Sequence, residues 1–257
     1  MKIAVLVKYV PNRGGNPPEI DGDEFRLRRD QPESGLDPVD EPGVEAGVRI
    51  IERDGGEVTI VSMGPPSAES AVVRALAMGA DRGVLISDEH LIGADVLATA
   101  RVLAATLARR QFDIVIAGSE STDAATGTLP MTVAALLDLP SVTFARRVSL
   151  VGERLSVERQ TPDGHELIDC PLPALVTVTG AVAVPRYPSL RDTIKAKSKP
   201  IERVNLADLG LGVEDIAPNH RIESIEIAPE REAGDIVDDI EAGITRLLEL
   251  LRDAKVL

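Results

Sequence analysis

Between Ile114 and Pro130 the chain reads IVIAGSESTDAATGTLP, and the residues best able to do chemistry crowd into that stretch. Ser119, Ser121, Thr122, Thr126 and Thr128 offer hydroxyls, Glu120 and Asp123 offer carboxylates, and Gly118 and Gly127 let backbone approach a ligand closely. Successive N–H groups running into a helix start make an anion site, because unpaired donors and the helix dipole both favour negative charge. Pro130 removes one N–H from that start, while Gly127 and Thr128 keep theirs. The same residues equally suit an ordinary capped connection between a strand and a helix.

Other chemistry is not signalled. The chain has no G-x-G-x-x-G, no G-x-x-x-x-G-K-[ST], no H-E-x-x-H and no G-x-S-x-G. His90, His165 and His220 are scattered through loop-like stretches and suit surface positions better than metal ligation. Cys170 is the single cysteine, which excludes an internal disulfide or a CxxC pair and leaves it as a small buried hydrophobe. No nucleophile-and-base pair stands out, so no catalytic residue and no metal site is expected. A hydrolase or ligase acting on an adenylate would need a cationic clamp or a base, and Ile114–Pro130 contains no Lys, Arg or His.

The elements that must position the stretch are strands apolar on both faces alternating with amphipathic helices. Lys2–Lys8, Glu57–Met63, Gly83–Ser87 and Phe112–Gly118 have the aliphatic runs of strands buried between helix layers. Val44, Gly47, Val48 and Ile51 share one helical face, as do Val96, Leu97, Ala100, Leu103, Ala104 and Leu107. AESAVVRALAMG supplies another helix, and Leu129, Val133, Leu136 and Leu137 the one after the hydroxyl-rich stretch. Four alternations predict an α/β fold, a Rossmann-like doubly wound, mainly parallel sheet with helices on both faces. Ligands of such sheets bind beyond the carboxyl ends of the strands, here Val7–Val10, Ser62–Gly64, Ser87–Asp88 and Gly118–Thr128. GLDPVDEPGVEAG (Gly35–Gly47) lies in a connection longer than linkage alone requires, with Asp40 as a plausible N-cap.

After Pro140, SVTFARRVSL, RLSVERQ and ALVTVTG, with the turn TPDGH, predict a small, partly antiparallel extension. From about Pro185 regular patterning is lost until a helix over 236–251, with Ile240, Ile244, Leu247, Leu248 and Leu251 on one face. The expected division is a nucleotide-binding domain over 1–184 and a recognition loop with an extended C-terminal arm over 185–257. Leu190, exposed between Ser189 and Arg191, suits a surface that a partner covers.

Composition narrows the class. Lys+Arg of 28 against Asp+Glu of 42 gives a net charge of −14, which disfavours nucleic acid and anionic membrane. With no Trp, two Tyr and three Phe, the core must be aliphatic. MKIAVLVKYVP has too short an apolar run for a signal peptide or a span, so a cytoplasmic location without membrane insertion is expected.

Five ordered motifs resemble the β subunit of electron transfer flavoproteins over nearly the whole chain. They are LVKYVP, DPVDEPGVEAGVRI, VTIVSMGPPSAESAVVRALAMGADRGVLI, IVIAGSESTDAATG, and VERQTPDGHELIDCPLPALVT followed by VPRYPSL and IKAKSKPIE. The resemblance implies an electron carrier without bond-making catalysis of its own, one half of a heterodimer whose α subunit holds a redox-active FAD. It implies an AMP bound structurally in the β subunit, or a second FAD in electron-bifurcating members. Motif by motif it carries nucleotide contacts to Leu6 (backbone), Asp37, Pro38, Val39, Asp40, Met63, and Gly118 through Leu129, with Gly64 beside them. It matches Leu190 to the leucine that anchors flavin dehydrogenases, with Tyr187 adjacent, and the C-terminal helix to the arm that clasps α. A quinone oxidoreductase is the implied acceptor.

Departures from the family pattern are Thr128-Leu129-Pro130 in place of Gln-[TV]-Gly, and Ala124 and Ala125 in place of two acids. Gln160 and Pro162 replace acids of the later signature, which implies a lost ion pair to α. The alternative class is a stand-alone adenine-nucleotide-binding regulator of the stress-protein type. It shares the alternating sheet and leaves the segment after Pro185 without a role.

Overall fold

The computed structural model describes residues 1–11, 19–22, 26–29, 33–219, 222–226, 234 and 236–257. The described chain divides into two units, Met1–Glu223 and Ser224–Leu257. His220 lies outside the described residues.

In the first unit β1 (Lys2–Leu6), β2 (Tyr9–Val10), β3 (Ile20–Asp21), β4 (Arg26–Leu27) and β5 (Gly35–Leu36) precede α1 (Glu41–Asp54). Then come β6 (Glu57–Met63), α2 (Glu69–Ala77), β7 (Arg82–Ile86), α3 (Val96–Ala108), β8 (Ile114–Gly118) and α4 (Leu129–Leu136). The remainder is β9 (Ser141–Val151), β10 (Arg154–Thr161), β11 (Gly164–Pro171), β12 (Ala174–Val178), α5 (Leu190–Ala196) and β13 (Ile201–Val204). Nine strands form one sheet in the order β11-β10-β9-β12-β8-β1-β6-β7-β13. Every pairing from β9 to β13 is parallel, and only β9–β10 and β10–β11 are antiparallel.

Successive residues of one strand feed opposite cores, as the pleat requires. Ile3 and Val5 of β1 pack with Val44, Val48, Val72 and Leu76 of α1 and α2. Ala4 and Leu6 pack with Val102, Leu103, Leu107 and Val133 of α3 and α4. The doubly wound α/β sheet is therefore observed as expected.

Three features differ from the expectation. The antiparallel extension is the edge of the main sheet itself, and it includes β11, whose exposed, mostly polar HELID gives little strand signal. At the transition β9 bulges opposite Thr177, with Phe144 at φ +55° and its N–H donated to Thr177 Oγ1 at 2.9 Å. Past Pro185 the chain is not featureless. It forms α5 and adds β13 beside β7, elements of seven and four residues that are too short to show periodicity.

The second unit contains α6 (Ile240–Asp253). The helix starts at Ile240 rather than Ile236, because the Asp239 carboxylate accepts the Ala242 N–H and caps it there. Ile240, Ile244, Leu247 and Leu248 are exposed along it.

Candidate functional site

The chain runs β1, β6, β7 in one direction across the sheet, then returns to place β8 on the other side of β1. The β1/β8 boundary is thus the switch point where an open parallel sheet leaves a crevice. Val7 stays paired, donating its N–H to the Val61 carbonyl at 3.0 Å. Lys8 then turns away, its N–H going to Asp40 Oδ2 at 2.8 Å while its carbonyl accepts the Asp37 N–H at 2.9 Å. Asp37 is fully buried, and its carboxylate accepts the N–H of Thr122 at 2.9 Å and of Val39 at 3.3 Å. The DPVD segment therefore wedges between the end of β1 and the loop after β8, each buried carboxylate held by backbone donors.

Asp40 corrects one expectation. It stands at the N-cap position of α1, but at φ −88° and ψ −23° it is already helical and its side chain caps nothing. Its carboxylate instead takes the Lys8 and Gly118 N–H groups. Burial, and next the charge of Asp37, push its carboxyl up to about 8 against those two bonds. Gly118 is required here because a Cβ would stand 2.6 Å from Asp40 Oδ1.

Beyond Gly118 the loop is pinned at its start and open at its end. Ser119 Oγ donates to the Val178 carbonyl at 3.0 Å. Lys8 Nζ reaches Ser121 Oγ at 3.2 Å and Asp123 Oδ1 at 2.6 Å, and Arg29 Nε meets Asp123 Oδ2 at 2.8 Å. The Asp123 side chain is only 1% exposed. Burial raises its carboxyl, but the two cations prevail and hold it at about 2. Thr122 and Glu120 face solvent, and residues 124–128 form an exposed run with Ala125 at φ +47° and Gly127 at φ +63°. Thr128 precedes α4 without a side-chain cap, so the first-turn N–H groups of that helix are not consumed by one. Two cations meet the Asp123 carboxylate at this loop, and the exposed Glu120 carboxylate stands near the open turn, its Oε2 4.0 Å from where a Cβ on Gly127 would lie.

Leu6, Asp37 through Asp40, Gly118, Ser119, Ser121, Thr122 and Asp123 are thus joined by direct contacts or chain continuity. Glu120, Thr126, Gly127, Thr128 and Leu129 follow on the same loop. Met63 and Gly64 lie at the end of the adjacent β6, where Gly64 closes on Ala68 and donates to the Ile86 carbonyl at 3.0 Å. The end of β7 is filled by protein, since Asp88 takes the N–H groups of His90 and Leu206. Sequence reasoning missed Lys8 and Arg29, so its statement that no cation serves the loop holds only for Ile114–Pro130. Lys8 follows the first strand by two residues and could have been found by its place; nothing marked Arg29. Among the described residues no group of three His, Cys, Asp or Glu gathers as a metal site. No helix among them is long and apolar enough to cross a membrane.

The family model for the electron transfer flavoprotein domain matches residues 25–209, which includes every strand of the main sheet except β1. The chain belongs to the electron transfer flavoprotein β-subunit family. It is 40% identical over 208 residues to the electron transfer flavoprotein subunit beta of Thermoanaerobacterium thermosaccharolyticum, covering 81% of this chain and 79% of that one. It is 33% identical to the protein of the same name from Mycobacterium tuberculosis over 99% of both chains. With that from Bacillus subtilis it shares 34% over 90% of this chain and 91% of the other.

Two residues that the resemblance to electron transfer flavoproteins singled out, Tyr187 and Leu190, are 88% and 78% exposed. Their backbone is held firmly. Arg186 Nε meets Glu45 Oε2 at 2.7 Å, and its two other nitrogens take Glu52 at 2.6 and 2.9 Å. Glu45 is buried on α1 and also binds Arg49, whose Nη2 donates to the Val184 carbonyl at 3.1 Å. These paired glutamates raise the Arg186 proton affinity further, and Arg186 and Arg49 lower that of Glu45 against its burial. Arg74 stands 5.1 Å from the Tyr187 ring centroid. Leu190 opens α5 under a capping box formed by Ser189 and Asp192, so it is a helix-start residue rather than part of an irregular loop. Gln160 pairs with His165 across β10 and β11 and is exposed.

Proposed function

We propose that this chain works as the β half of a heterodimeric electron transfer flavoprotein, with an adenine nucleotide in the β1/β8 crevice. The observation that carries this reading is the loop 119–129. Its start is clamped by Asp37, Lys8 and Arg29, while its end presents an exposed, left-handed turn and an uncapped helix start. That combination suits a phosphate: donors without internal partners, a dipole of the right sign, and two cations behind the loop.

In this reading Gly127, Thr128 and the first turn of α4 hold the phosphate by backbone N–H groups, and the Thr126 and Thr128 hydroxyls face it. Lys8 and Arg29 supply charge from behind the loop. Leu6 backbone, the Asp37–Asp40 wedge, and Met63 with Gly64 line the rest of the nucleotide. AMP bound here supplies no redox chemistry and completes the fold, whereas FAD would add an electron-accepting centre. The chain itself makes and breaks no bond. An α subunit bearing FAD is the partner, the exposed Tyr187–Leu190 face meets flavin dehydrogenases, a quinone oxidoreductase takes the electrons, and the site of action is the cytoplasm. Residues 1–184 carry the nucleotide, and 185–257 carry recognition and the arm on α.

The test is to co-express the chain with its neighbouring α subunit, purify the complex, denature it, and identify the released nucleotides by absorbance and mass. One FAD with one AMP per heterodimer is the expected result for a simple carrier, and two FAD would mark a bifurcating type. A chain that forms no complex and releases no nucleotide would overturn the proposal.

A further inference from the structure

At the opposite end of the sheet, the amino ends of β1, β6 and β7, with the turn between α3 and β8, line an open pocket of about 260 Å³. Its charged lining is Lys2, Arg82, Arg109 and Arg110 against a single carboxylate, Glu57. Thr59 and Phe112, both buried, complete the wall. In a chain of net charge −14, four cations around one small cavity run against the average field of the protein.

Local acids absorb part of this charge, and Arg109 is left over. Arg82 Nη2 meets Glu57 Oε2 at 3.1 Å, and Arg110 pairs with Glu202 at the rim. Asp113 uses its carboxylate on the backbone N–H of Lys2 at 2.7 Å. Arg109 has no ion-pair partner among the described residues, and Arg82 Nε is buried with no hydrogen-bond partner. Desolvation, and then the charges of Arg82 and Arg109, depress the proton affinity of Arg110, with Glu57 opposing. Guanidiniums crowded this way repel one another until an anion enters, and a buried donor left unmatched is destabilising.

We propose that this cavity is a second anion site, separate from the crevice, that takes a free diphosphate. Guanidiniums bind phosphate oxygens through paired N–H donors, so Arg109 and the unmatched Nε of Arg82, with Lys2 and Arg110 beside them, suit a diphosphate better than a single halide or carboxylate. The volume falls below the roughly 300–1,000 Å³ of pockets that bury whole ligands. No exposed aromatic face is present to stack a base, because Phe112 is buried. The ligand is therefore the small anion itself, not the tail of a nucleotide.

The test is calorimetric titration of inorganic pyrophosphate into the purified full-length complex at constant ionic strength, since exposed charges are screened by salt. Saturable binding is expected, with affinity about tenfold lower in Arg109→Gln and in Arg110→Gln. Arg154→Gln, a control at the far sheet edge, leaves it unchanged. Pyrophosphate also raises the melting temperature of the parent and not of the two variants. Arg109 is exposed and without an ion-pair partner, so its replacement leaves the fold intact and keeps the test decisive. Absence of saturable binding, or binding that both variants retain, overturns the site. Citrate binding as tightly as pyrophosphate overturns the phosphate class. ADP binding that Arg109→Gln weakens to the same degree overturns the free-anion assignment.

Discussion

Gly118→Ala tests the wedge that holds the crevice open. The new methyl would lie 2.6 Å from Asp40 Oδ1, well inside the 3.4 Å at which ordinary contact begins. The carboxylate is the end of a side chain, but it is not free to swing. Asp40 is 6% exposed and accepts the Lys8 N–H at 2.8 Å and the Gly118 N–H besides. Overpacking costs about 1–3 kcal/mol. Displacing the carboxylate orphans one buried donor at about 1–3 kcal/mol more. The expected loss is about 2–6 kcal/mol, or a fall in Tm of roughly 4–24 °C for a unit of this size.

Urea unfolding followed by circular dichroism measures it, with Gly180→Ala as a control because nothing lies within 4 Å of its added methyl. Adding Asp40→Ala to Gly118→Ala should cost less than the sum of the two, since the first change already breaks the bonds that the second removes. A Gly118→Ala protein within about 0.5 kcal/mol of the parent, or strict additivity in the double variant, would refute the reasoning.

Three further outcomes are expected. Asp123 has its carboxyl held at about 2, below the ordinary 3.8, so the stability it contributes is present above pH 4 and lost as pH falls through 2. Asp123→Asn should remove about 1 kcal/mol at pH 6 and flatten the acid limb of the stability profile, the size reduced because Lys8 and Arg29 are one-third exposed. Asp40 has the opposite sign: its carboxyl sits near 8, so stability falls as pH rises from about 4 to 8, and denaturation of Asp40→Asn at pH 5 and 9 should show a shallower decline. Glu45→Ala removes the buried acid under Arg186 and should cost about 2–4 kcal/mol. Hydrogen exchange should then quicken over 184–190, and unchanged exchange there would show that Glu52 alone suffices.

The legible part of the fold is the part built from continuous aliphatic runs and long amphipathic helices. Glu57–Met63 was bounded to the residue, and β1, β7 and β8 to within two, because each is an aliphatic run buried on both faces. β11, α5 and β13 were hidden, the first by polar exposed residues and the others by brevity. The crevice was legible as a set of strand ends and a hydroxyl-rich loop. Its electrostatics were not, since Lys8 and Arg29 reach Asp123 across 115 and 94 residues and no local pattern records such a meeting. Asp40 shows the limit most clearly: its position before α1 suits a cap, but the neighbouring strand ends supply stronger donors and turn the side chain away.

The joint between α1 and the exposed Tyr187–Leu190 face has an evolutionary consequence. Glu45 is 2% exposed and meets Arg186, 141 residues later, through three hydrogen bonds. Losing Arg186 takes three hydrogen bonds from a buried carboxylate and leaves it Arg49 alone, so a change at residue 186 is expected to be accompanied by one at residue 45. Nothing comparable pins the solvent-facing tips of Tyr187 and Leu190, which are free to diversify from lineage to lineage on a frozen mount.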